Sequence, residues 1–185
     1  MKKVLSLFSG AGGMDIGFEG DFKTLECSVN GKMHPDWIQS DDGHYINVIP
    51  TGFETVFAID IMPDAKSAWI NYFSNRKKNA DDIYHIGSVV DYVKAARNGE
   101  IVFPDNVDIV TGGFPCNDFS LAGKRLGFNS YKNHLGQVIE ADEPSEESRG
   151  KLYMWMRAVI ELTKPSIFIA ENVKGLTNLG DGCRL

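Results

Sequence analysis

The chain has 185 residues, 43% of them apolar and 24% charged, with a formal net charge of −6. That is enough for one domain with a buried core, and no apolar run approaches the length of a bilayer span. The acidic balance argues against a protein that grips nucleic acid unaided, because phosphate contacts need Lys and Arg.

Three cysteines, Cys27, Cys116 and Cys183, are far apart and include no C-x-x-C pair. A zinc cluster or a disulfide framework is therefore not expected, and a reducing compartment is. In "MKKVLSLFSGAGG" the apolar part lasts only from Val4 to Phe8, too short for a signal peptide. It reads as a buried first strand, and the chain is expected in the cytoplasm.

After that strand, "GGMDIGFE" starts a helix and "TVFAID", residues 55–60, reads as a second buried strand. "MPDAKSAWINYFSN" follows as a helix, with Pro63 near its start and Ala65, Ala68, Trp69, Tyr72 and Phe73 on one face. "SVVDYVKAARNG" is a helix with Ser88 as N-cap and Gly99 as its stop. "NVDIVTGG" is a third strand, "RGKLYMWMRAVIELTKP" a helix ended by Pro165, and "SIFIAEN" a fourth strand. Residues 20–52 look like an insertion with weak strand character, and residues 128–149 are polar. Strands alternating with helices predict a mostly parallel α/β sheet with helices on both faces and ligands at the carboxyl ends of its strands. Gly10 to Gly13, Asp60, Cys116 and Glu171 all fall at that edge.

"FSGAGGMDIG" follows a strand, as phosphate-binding glycine loops do, but the third glycine of G-x-G-x-x-G would fall at Asp15. An acidic residue there suits a pyrophosphate poorly and would better tolerate a cofactor that is cationic at its reactive centre. Asp60, ending the second strand, is placed for ribose hydroxyls. In "TGGFPCNDFS" two glycines allow a sharp turn and Pro115 stiffens the approach to Cys116. Lys124 and Arg125 follow and would favour the thiolate, the nucleophilic form. Glu171 ends an apolar strand, where burial would raise its pKa and suit it to act as an acid. A lone cysteine also serves as a small buried hydrophobe, a carboxylate as a cap or ion-pair partner, and a glycine turn as a packing device. His34 and His44 lack further spaced ligands, so no metal is expected.

The blocks "LFSGAGGMDIGFE", "GGFPCNDFSLAGKRLGF" and "SRGKLYMWMRAVIELTKPSIFIAENVKGL" resemble, in order, signature blocks of the DNA cytosine carbon-5 methyltransferases. The resemblance implies a Rossmann-like S-adenosylmethionine-dependent fold whose product is S-adenosylhomocysteine. It implies that Cys116 attacks carbon 6 of a cytosine flipped out of duplex DNA, that Glu171 holds ring nitrogen 3 and the exocyclic amine, and that Asn172 braces the cysteine loop. Phe8, Gly10, Ala11, Gly12, Gly13, Asp60, Ile61, Ser88, Val89 and Leu152 would line the cofactor pocket, with Pro115 near both ligands. Ser120, Lys124, Arg125 and Arg149 would lie near DNA, on a loop for which Gly123, Gly127 and Gly136 are suited.

The sequence departs from the family pattern in three places. Asn117 follows the cysteine where glutamine is usual. Ser88 stands where an aspartate often touches the adenine amine, with Asp91 a helical turn further on. The Gln-x-Arg-x-Arg block, the variable target-recognition region and the final helix do not occur within the chain. The expectation is therefore a catalytic first half, residues 1–185, that acts with a second polypeptide. The alternatives are an inactive remnant that binds cofactor weakly, and an RNA cytosine methyltransferase of the same architecture.

Overall fold

The computed structural model describes residues 1–115 and 151–174, together with Asn133, Leu135 and Gln137. Along the chain, β1 (Lys2–Leu7) leads into α1 (Gly13–Glu19), and β2 (Lys23–Leu25), β3 (Ile38–Asp41) and β4 (Tyr45–Val48) follow. Then come β5 (Phe53–Asp60), α2 (Pro63–Phe73), α3 (Ala80–Ile83), β6 (Tyr84–Ile86) and α4 (Val89–Arg97). The described part is completed by β7 (Ile109–Gly112), α5 (Leu152–Thr163) and β8 (Ile167–Ala170).

Five strands make one sheet in the order β6-β5-β1-β7-β8, and every pairing in it is parallel. The central strand β1 is buried from Val4 to Leu7, which is why its sequence reads as a near-continuous apolar run rather than an alternation. One face of the sheet presents Leu5, Leu7, Phe57 and Ile59 to Val90 and Val93 of α4 and to Trp155, Met156 and Val159 of α5. On the opposite face Ala58 packs with Trp69 and Phe73 of α2, Ile83 of α3 and Tyr84. Each fully buried Val, Leu, Ile or Phe among them stabilises the fold by about 1.5–3 kcal/mol. The Trp69 and Phe73 rings stack with centroids 4.1 Å apart.

Local signals set the helix ends. Ser88 Oγ accepts from the Val90 amide at the N-cap of α4, Pro63 opens α2, and α5 stops at Lys164, in left-handed conformation, just before Pro165. Within residues 20–52, β2, β4 and β3 pair antiparallel into a small sheet of their own rather than extending the main one.

One expectation needs correction, and two features lie outside what the sequence predicts. Ala68 lies on the solvent side of α2, because the helix buries Trp69 and Phe73 and the 3.6-residue period turns Ala68 away. The short elements α3 and β6 carry too few residues to show a period, and they were not anticipated. Helices pack on both faces of the sheet as expected, while the four residues of β8 are exposed, with Ile167 at 54% and Phe168 at 58%.

Candidate active site

The parallel arrangement brings the ends of β1, β5, β6, β7 and β8 to one edge. At β1, the chain leaves the sheet through Phe8 at φ 53, a left-handed conformation uncommon for a bulky residue. Ser9 N donates to the Ile59 carbonyl at 3.1 Å, and Gly12 N donates back to the Ser9 carbonyl at 3.0 Å. Both polar groups of Gly10 are held: its N–H donates to Asp60 Oδ2 at 3.0 Å, and its carbonyl accepts from Tyr84 Oη at 2.8 Å. Burial, with the Asp60 and Asp15 charges adding to it, pushes the Tyr84 hydroxyl well above its ordinary range, so it remains a donor.

Asp60 accepts the Met62 amide on Oδ1 at 3.0 Å, so each carboxylate oxygen has one backbone partner and keeps further lone-pair capacity. Around it the rim is apolar and open, with Ile61, Met62 and Ile86 all exposed. Space above the loop is also open, since a Cβ built on Gly10 or Gly13 would meet nothing within 4 Å. Ala11 is exposed there as well. Ser88 is buried with its hydroxyl capping α4, and Asp91 is exposed one turn along that helix. Val89 and Leu152 belong to the core beneath the rim.

Asp15 does not face that open space. It is fully buried, and its Oδ2 accepts from Ser9 Oγ and from the Trp69 indole, each at 2.7 Å. Asp15 therefore has no direct bearing on the charge of a cofactor above the loop, contrary to the expectation that its acidity selects for a cationic one: α1 turns this side chain inward, toward α2.

The cysteine loop begins at β7. Glu171 N donates to the Gly112 carbonyl at 2.9 Å, and a Cβ at Gly113 would stand 3.2 Å from Glu171 Oε2, so the carboxylate lies against the glycine turn. Asn172 Nδ2 donates to the Phe114 carbonyl at 2.8 Å. Phe114 is buried and Pro115 half-buried. Glu171 itself is exposed, contrary to the burial expected of it, because the four residues of β8 before it are exposed too. Cys116, Ser120, Lys124, Arg125 and Arg149 lie outside the described residues.

Two structural partners of the loop, Tyr84 and Trp69, were not singled out from the sequence as site residues. Neither carries a motif signal, and both reach the loop from elements far along the chain. No group of three His, Cys, Asp or Glu side chains able to hold a metal occurs among the described residues. His34 instead stacks on Trp37 at 3.9 Å, and no described helix is long and apolar enough to cross a membrane.

The glycine loop after β1, Asp60 at the end of β5 and the Glu171 carboxylate beside Gly113 lie along one edge of the sheet. The sequence model of C-5 cytosine-specific DNA methylases matches residues 2–184. The chain belongs to this family. Among curated methylases it is 32% identical over 181 residues to the type II methyltransferase M.AquIA of Picosynechococcus, covering 98% of this chain and 52% of that one. It is 29% identical over 180 residues to M.BsuRI of Bacillus subtilis, with 97% and 33% covered. With M.BspRI of Lysinibacillus sphaericus the identity is 31% over 179 residues, with 97% and 34% covered. The chain thus spans between a third and a half of the length of these methylases.

Proposed function

We propose that the chain carries the cofactor site and the nucleophile of a DNA cytosine carbon-5 methyltransferase. Methylases of this family take their methyl group from S-adenosylmethionine. The residues present suit that donor. The open backbone over Gly10 and Gly13 leaves room for it, Asp60 retains acceptor capacity for ribose hydroxyls, and exposed Ile61, Met62 and Ile86 offer apolar surface to an adenine. Bound there, S-adenosylmethionine supplies an electrophilic methyl group and leaves as S-adenosylhomocysteine.

One observation carries the reading: the Glu171 carboxylate lies against Gly113, three residues before Cys116, while Asn172 ties down the Phe114 carbonyl. In the proposed sequence the Cys116 thiolate adds to carbon 6 of a flipped cytosine. Glu171 gives a proton at ring nitrogen 3, and the ring's electron pair becomes available at carbon 5. After carbon 5 is methylated, it loses its proton to solvent, the thiolate leaves carbon 6 and ring nitrogen 3 returns its proton to Glu171, restoring the aromatic ring, the acid and the free cysteine. Asn172 keeps the turn shaped for attack. Ser120, Lys124, Arg125 and Arg149 are assigned to the DNA side from the sequence resemblance alone.

The reading includes a further part of the protein, on this or a second polypeptide, that bears target recognition. It is supported by the length of the relatives and by the apolar strand β8, which among the described residues pairs only with β7, beside a groove of about 580 Å³ between α5 and that strand, lined by Tyr153, Met156, Ile160 and Phe168 among others. The test is methyl transfer from labelled S-adenosylmethionine to duplex DNA by the full chain together with that complementary part. Cys116→Ser abolishes transfer and the trapped protein–DNA adduct. Full activity of Cys116→Ser overturns the covalent mechanism, and preference for tRNA over duplex DNA overturns the substrate.

A further inference from the structure

The glycine loop is pinned from two directions. From the sheet, Asp60 and Tyr84 hold the two polar groups of Gly10. From beneath, the loop rests on α1 and α2. Gly12, at φ +86, lies directly on the Trp69 ring, so that a Cβ there would be 2.4 Å from Cδ1. The indole is oriented by its hydrogen bond to Asp15 Oδ2, and the same oxygen receives the Ser9 hydroxyl from the start of the loop. Its partner oxygen, Oδ1, is buried without a hydrogen bond. Burying a carboxyl with an orphaned oxygen is costly and calls for an explanation.

We propose that Asp15 is a positioning residue for the methyl-donor site, shaping the glycine loop through Ser9 and Trp69 without touching the donor. Full burial of Asp15 keeps it from the ligand, while both of its bonds end on groups that fix the loop. Burial pushes its carboxyl above the ordinary range and outweighs the hydroxyl and indole donors near it; the nearby Glu19 charge pushes the same way. Since a single oxygen, Oδ2, accepts both bonds, a side chain of the same shape with one accepting oxygen keeps them, which makes asparagine the conservative replacement.

The proposal rests on the donor reading of the loop, and its test separates the two. In the full chain labelled with ¹⁵N, the Trp69 indole resonance and the Gly10 and Gly12 amides report loop shape, and calorimetry with S-adenosylhomocysteine reports binding. Asp15→Asn leaves the glycine amides in place and affinity within about twofold. Asp15→Leu, which fills similar space but accepts nothing, shifts indole and glycine amides together and weakens binding about tenfold, the equivalent of one lost hydrogen bond or slightly more. Ser9→Ala, which removes one donor without a core change, moves both readouts in the same direction and by less. Unmoved glycine amides in Asp15→Leu or Ser9→Ala, or an Asp15→Asn as impaired as Asp15→Leu, overturn the proposal. If the unaltered chain fails to bind S-adenosylhomocysteine while the amides respond as described, the donor assignment falls and the positioning of the loop by Asp15 stands.

Discussion

One methyl group added at Gly12 measures how tightly the loop is laid on its support. At φ +86 an alanine meets its own backbone, at a cost of about 1–2 kcal/mol. The new Cβ would also stand 2.4 Å from Trp69 Cδ1, 2.9 Å from its Nε1 and 3.2 Å from Phe73 Cε2. Both rings are fully buried and stacked, so neither can swing into solvent, and over-packing of this kind costs about 1–3 kcal/mol. Displacing the indole also weakens its bond to Asp15, worth about 1 kcal/mol. Gly12→Ala is therefore expected to destabilise by about 3–6 kcal/mol, read from urea unfolding at unchanged slope. Gly10→Ala, with φ +54 and open space around the Cβ, carries only the backbone cost of about 1–2 kcal/mol. Gly13→Ala, at the first residue of α1 with nothing within 4 Å, is expected to be neutral or stabilising by up to about 1 kcal/mol. The latter two place their methyl in the space assigned to the donor, so they lower S-adenosylhomocysteine affinity out of proportion to stability. A Gly12→Ala no worse than Gly10→Ala would refute the account of how loop and indole are packed.

Two further outcomes follow from buried charge. The Lys77 side chain is 7% exposed, with Nζ 3.0 Å from Glu19 Oε1 and 3.6 Å from Glu54 Oε1, and Glu19 also receives the Thr55 amide. Lys77→Met strands the buried Glu19 charge and costs about 3–5 kcal/mol in urea unfolding, whereas adding Glu19→Gln recovers part of that loss; equal single and double variants contradict the pairing. Asp15 gives a pH signature. Its folded-state value lies above the ordinary 3.8, so the native protein retains a proton that the unfolded chain releases. The resulting stability is complete below the unfolded value and falls by about 1.4 kcal/mol per pH unit up to the folded value. Asp15→Asn lacks this slope. Burial lowers the His85 value and produces the opposite slope in both proteins, which cancels in the comparison. A stability difference between the two that stays flat with pH refutes an upward shift of Asp15 on folding.

Local chemistry made much of the fold legible in the sequence. β1, β5 and β7 are buried on both faces of a parallel sheet and read as apolar runs. α4 announced itself through Ser88 and Gly99, and α5 ended where Pro165 predicted. Alternation of these elements was enough to bring Gly10, Asp60 and Glu171 to one edge, because parallel strands end on the same side. What the sequence could not express was which side chains meet across elements. The Asp15–Trp69 bond joins residues 54 apart, and Tyr84 reaches Gly10 across 74. Neither spacing has a period, so the sequence places Asp15 in the first turn beside the loop without showing that packing of α1 on α2 turns it inward. Exposure of β8 and of Glu171 was hidden for the same reason. An apolar strand has one sequence whether or not a neighbour covers it, and the cover is a property of the tertiary structure alone.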